Sequence, residues 1–166
     1  MRSVWVMALA VLAAGCGERE PSAAEQQRMD DADVAAVKAA QEAPPVPVTP
    51  DKILYPDIER YDLFGAGCNF APEGSMAAIV LAQPARGFMK IDGEMETFAP
   101  DAGSGDLPLG AKGKYTAGAW SFTLDLASEE GEQDGIETVN FPARFVLKND
   151  RDQIVYQANG IAQCGS

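Results

Sequence analysis

Three cysteines, twenty-five carboxylates and no histidine define the chemistry open to this chain. A thiol can carry lipid, bind metal or form a disulfide; a carboxylate can hold a cation or move a proton. Histidine is the commonest general base and metal ligand. Its absence removes Ser-His-Asp and Cys-His nucleophile arrangements. With no histidine and no cysteine pair at ligand spacing, no metal and no cofactor is assigned. Glu129, Glu130, Glu132 and Asp134 form one acidic cluster, interleaved with Gly131 and Gly135. Such oxygens suit Ca²⁺, but the spacing departs from an EF-hand loop and the glycines fit a hairpin turn. Asp57, Glu59 and Asp62 form a second cluster. Paired carboxylates hydrolyse glycosides only when they face each other across a cleft, and nothing in the sequence places these so. No catalytic residue is assigned, and the chain reads as a non-enzyme. Tyr115, Trp120 and Phe122 are candidates for a ligand site, although alternation puts Trp120 and Phe122 in a core first.

The N-terminus gives one cysteine a role. Arg2 is the only charge before Glu18, and residues 4–15 are apolar. As a helix that run spans roughly 18 Å, too short for a bilayer core of about 30 Å. A positive start, a short apolar stretch and small residues at its end make a cleavable secretory signal. The end reads Leu12-Ala13-Ala14-Gly15-Cys16, which resembles the lipobox of bacterial lipoproteins. The resemblance implies lipid on the Cys16 thiol, cleavage before it, and palmitate-type acylation of the new amino terminus. Two or three acyl chains hold a protein firmly to a bilayer. By the family's sorting pattern, Gly17 in place of Asp favours the outer membrane, on its periplasmic face. With Cys16 lipidated, Cys68 and Cys164 remain, an even number in an oxidising compartment. A disulfide between them is expected.

Loss of residues 1–15 leaves 151 of the 166 residues, and loss of Arg2 takes the formal charge from −12 to −13. That is enough chain for one domain with a modest core. The acidity argues against a nucleic-acid partner, whose phosphates need Lys and Arg. It also argues against adsorption to anionic lipid, so the membrane partner is reached through lipid on Cys16. It leaves room for a protein partner in the envelope.

Residues 16–51 read as a tether. Ser22 and Glu25 make a capping box for a segment rich in Ala, Gln, Glu and Lys, with Met29, Val34 and Val37 as a thin apolar stripe. Four prolines between Pro44 and Pro50 then extend the chain as a stiff spacer. From 52 to 166 the pattern becomes that of strands. Asp92-Gly93 is a type I′ hairpin signal between 87–91 and 94–99. Trp120, Phe122, Leu124 and Leu126 alternate with Ser121, Thr123, Asp125 and Ala127, and Ala143, Phe145 and Leu147 with Arg144, Val146 and Lys148. Residues 154–158 and 161–164 read as two closing strands, 103–113 as Gly-rich and irregular, and 129–135 as a loop. The fold class is mainly β: a small antiparallel β-sandwich or barrel behind a signal peptide and a partly helical, Pro-rich tether. An α+β arrangement with the tether helix on the sheet is the runner-up.

The stretches 61–68, 87–93 and 160–164 are similar to small lipoproteins of alphaproteobacteria, over most of 52–166. That group brings no activity with it. Tyr115, Gly118 and Trp120 also resemble part of the Tyr-Gly-Trp pattern of membrane-bound inhibitors of C-type lysozyme, which are lipoproteins with a small disulfide-closed barrel. Ser121-Phe122 stands where that family carries Lys-Gly. The expected function is therefore a membrane-anchored envelope lipoprotein with a non-catalytic binding or structural domain. The alternative is an inhibitor of a basic enzyme such as lysozyme.

Overall fold

A computed structural model describes residues 21–41 and 43–166. The expected signal and Cys16, with its expected lipid, lie outside the described residues. The chain divides into two compact units, one running to Ala43 and one covering Pro44–Ser166.

In the first unit, helix α1 spans Ala23–Gln41. The Ser22 Oγ accepts from the Glu25 N–H at 3.3 Å, and Glu25 Oε2 accepts from the Ser22 N–H at 2.8 Å. This is the reciprocal capping box expected from the sequence. Glu25 is held below the ordinary carboxylate range by the Ser22 hydroxyl and then the Ser22 N–H. Met29, Val34 and Val37 are all more than half exposed.

The second unit holds helix α2 (Tyr55–Tyr61) and nine strands: β1 (Gly67–Pro72), β2 (Val80–Ala82), β3 (Gly87–Ile91), β4 (Glu94–Pro100), β5 (Lys114–Ala117), β6 (Trp120–Leu126), β7 (Glu132–Asp134), β8 (Thr138–Asn149) and β9 (Ile154–Gly165). The sheet runs β6-β5-β4-β3-β2-β1-β9-β8, and β8 pairs back on β6. That last ladder closes an eight-stranded antiparallel barrel, which removes the open edges a sheet would carry. β7 is an appendix on the start of β8.

Local chemistry explains the joints. Asp92 and Gly93 both have positive φ, 51° and 82°, so the β3–β4 hairpin turns as type I′. Pro142 lies mid-strand in β8, where the ladder changes partner from β7 (at Asn140) to β6 (from Ala143). A residue without an N–H is tolerated at such a handover. The two closing strands read from the sequence are one: β9 runs unbroken through Gly160. A Cβ there would lie 2.1 Å from the Ala71 carbonyl oxygen, so only glycine lets β1 and β9 stay in register at this point.

The inward residues fill the barrel. Phe70, Met89, Phe98, Tyr115, Phe122 and Phe145 are essentially without solvent contact. Phe122 sits at the centre, 4.9 Å from both Phe98 and Tyr115 and 5.7 Å from Phe145 between ring centroids. A smaller cluster of Ile53, Leu63 and Phe88 lies between α2 and the outer face of the sheet. β3 is thus covered on both faces, which explains two adjacent buried residues, Phe88 and Met89. The segment before α2 is bonded to the barrel. Val48 N–H donates to Val155 O, Asp51 N–H to Lys90 O, and Ile53 N–H to Ala78 O, at 2.8–3.1 Å. The last part of the expected tether, from Pro44, is therefore counted with the barrel.

Candidate functional site

β6 carries inward residues towards one end of the barrel, where Leu124 is fully buried and Leu126 half-buried. Phe141 of β8 stands beside them. Opposite, residues 101–113 leave β4, fold back on themselves and enter β5. This excursion is pinned by Gly113 N–H to Gly105 O (2.8 Å) and Leu107 N–H to Ala111 O (2.9 Å), with Ala111 wholly buried. Its tip needs Leu109 and Gly110 at φ 60° and 79°. Lys112 is ion-paired to Asp106 across its neck.

Tyr115 locks the excursion to the barrel. Its hydroxyl donates to Gln83 O at 2.8 Å and accepts the Lys112 N–H at 2.9 Å. Gln83 in turn donates from Nε2 to Leu63 O at 2.8 Å. Burial pushes the Tyr115 hydroxyl above its ordinary pKa, against the Lys112 N–H, which pulls it down.

Between the excursion and β6 lies an open cleft of about 480 Å³. Leu107, Leu124, Leu126 and Phe141 line it with apolar surface. Asp106, Asp125 and Glu129 are the acidic residues of its lining, Asp106 being the one paired to Lys112. Residues 127–129 form its far wall. Gly131 lies so close to Phe141 that a Cβ would sit 2.7 Å from the ring. An apolar surface with convergent charged groups is the ordinary make-up of a recognition site.

Two other hollows differ in kind. One of about 180 Å³ on the outer face lies between α2 and β2, with Tyr55 and Phe64 at its rim. The other, about 640 Å³, opens around Asp51, Lys52 and Lys90. Its Lys90 is already bonded to Asp57 at 2.8 Å. Asp57 also accepts the Leu54 N–H at the start of α2. Its carboxyl is held low first by Lys90 and then by that N–H, while Lys90 is raised by Asp57.

The other residues singled out in the sequence are dispersed. Cys68 and Cys164 are disulfide-bonded, directly opposite each other on β1 and β9, and buried. Asp57, Glu59 and Asp62 belong to α2 and its left-handed C-cap, with Asp57 serving as the helix's N-terminal acceptor. Of the acidic stretch 129–135, Glu132 and Asp134 lie in the exposed strand β7, where a loop was expected, and Glu129 reaches the cleft. Among the described residues, no three His, Cys, Asp or Glu side chains group as a metal site. Tyr115 and Phe122 belong to the core, and Trp120 packs against it. The cleft itself escaped the sequence reading. The Gly-rich run 103–113 was its only trace, because a backbone excursion has no hydrophobic period. No protein-family model matches this chain, and no curated protein or solved structure is significantly similar to it.

Proposed function

We propose that this chain is a lipid-anchored protein of the cell envelope, attached through Cys16 to the periplasmic face of the outer membrane. Its barrel is a non-catalytic binding body for a cationic protein partner. The observation that carries the reading is the cleft at the end of β6, where apolar residues are joined in the lining by three acidic ones, two of them without an ion-pair partner among the described residues, on a chain of net charge −12. The barrel interior is filled by aromatic side chains, so recognition falls to its surface and its open end. A field of this sign steers basic partners to the site.

Two measurements test it. Cys16→Ser is expected to release the chain from the membrane fraction, and retention would contradict the anchor. A photo-cross-linker at Ser128 in the full chain is expected to label an envelope protein. That labelling should fall when Asp125→Asn and Glu129→Gln are combined; labelling indifferent to those charges would contradict the site. The same acidity supports a second reading, inhibition of a basic enzyme such as lysozyme. Absence of inhibition at micromolar concentration and low salt would dismiss it.

A further inference from the structure

The backbone beside the cleft narrows what the partner presents. Leu124 N–H donates to Gly113 O at 2.8 Å, so this residue's polar groups face β5. Ala127 N–H donates to Pro142 O at 2.8 Å, so that residue faces β8. Strand polar groups alternate in direction. The N–H and C=O of Leu126 therefore point away from β8, into the cleft. The β5–β6 ladder cannot meet them. Its registered pairs end at Lys114 with Thr123, because Gly113 turns its own N–H to Gly105 O. β6 thus has a short free edge inside an otherwise closed barrel, flanked by the cleft's apolar lining.

The carboxylates nearest that edge are uncommitted. Asp125 lies across the β6–β8 ladder from Arg144, but Arg144 donates to Gln157 Oε1 at 3.1 Å. Lys112 is taken by Asp106. Among the described residues, neither Asp125 nor Glu129 has an ion-pair partner.

We propose that the cleft takes an extended, lysine- or arginine-rich segment of a partner protein, which adds as a short strand to the free end of β6 at Leu126. Backbone hydrogen bonds hold such a segment, and pockets for alternate side chains select it. Here apolar side chains meet Leu107 and Phe141, and cationic ones meet Asp125 and Glu129. The inference rests on the reading of the cleft as the binding site.

The test uses the full chain in non-ionic detergent and a fluorescein-labelled Lys-Thr-Lys-Val-Lys-Thr-Lys amide, followed by anisotropy at low salt. Saturable binding is expected, with slowed hydrogen exchange at the Leu126 N–H. N-methylation of alternate peptide amides should weaken binding roughly tenfold, the effect of one or two backbone hydrogen bonds. Asp125→Asn with Glu129→Gln should weaken it further. Equal binding of the methylated peptide, or no binding of the parent peptide while the charge-dependent cross-link persists, overturns strand addition alone. Peptide binding and cross-linking that both ignore the two charges overturn the cleft reading as well.

Discussion

Two seams of the barrel differ sharply. β8 and β9 pair over ten registered positions, and β9 is also fixed to β1 by the disulfide between Cys68 and Cys164. β4 and β5 pair over only two, Ala99 with Thr116 and Pro100 with Tyr115, before the chain departs into the 101–113 excursion. The long seam is held by its ladder, and β9 is tied on its other side to β1 by a covalent bond. The short one is held by the Asp101 N–H bond to Lys114 O, the Asp101–Lys114 ion pair, and the Tyr115 phenol with the Phe122 ring stacked on it. The cleft opens beside the short seam, where backbone is left over. Closure of this barrel is unevenly distributed, and its surface chemistry gathers where closure is weakest.

The largest expected effect comes from removing the disulfide that holds β9, the strand shared with the long seam, to β1. Cys68→Ser with Cys164→Ser opens a loop with a sequence separation of 96. It should cost about 4–5 kcal/mol on the chain-entropy model. Denaturant unfolding measures this, and a loss below about 1 kcal/mol would mean that the ladder suffices alone. Phe122→Ala removes the ring that joins Phe98 and Tyr115 on one side to Phe145 on the other. A loss of about 3–5 kcal/mol is expected for such a cavity. Tyr115→Phe touches only the short seam. It deletes the bond to Gln83 O and strands the Lys112 N–H, at about 1–2 kcal/mol. Hydrogen exchange should quicken at Lys112 and Gly113 and stay unchanged along β8 and β9; uniform quickening would erase the contrast between the seams.

The smallest effect concerns pH. The folded pKa of Asp57 lies below the ordinary value of 3.8, chiefly through the Lys90 ammonium. Its contribution is complete above that value and is lost as pH falls through the lowered pKa. Lys90 is raised above 10.5, so its share is present below that value and lost as pH rises through the raised pKa. Asp57→Asn should flatten the acid limb of the stability profile and leave both seams intact. An unchanged acid limb would show that the pair contributes nothing measurable.

The mainly β class was legible because strand alternation repeats: Phe122, Leu124 and Leu126 declare their inner face in residue order alone. Asp92-Gly93 declared its hairpin because few residue pairs accept two positive φ angles. The capping box at Ser22 is equally local. What could not be read depends on distant partners. The choice of barrel over sandwich rests on β6 meeting β8, a pairing with no local mark. The place of Val48 against β9, and the continuity of β9 through Gly160, follow from neighbours far along the chain. The cleft depends on where a ladder stops, which sequence period does not encode. Glu129 was singled out for its acidity, and Asp125 was seen only as the polar beat of a strand.

The place of β9 in the strand order carries a consequence for biosynthesis. β9 lies between β1 and β8, so the earliest and latest strands to be made are neighbours. Hairpins such as β3–β4 can form as they emerge, but closure must wait until the last strand is delivered. Until then the aromatic interior stays open to other chains. Such a chain is a set of unfinished hairpins, dependent on protection from aggregation, for most of its synthesis.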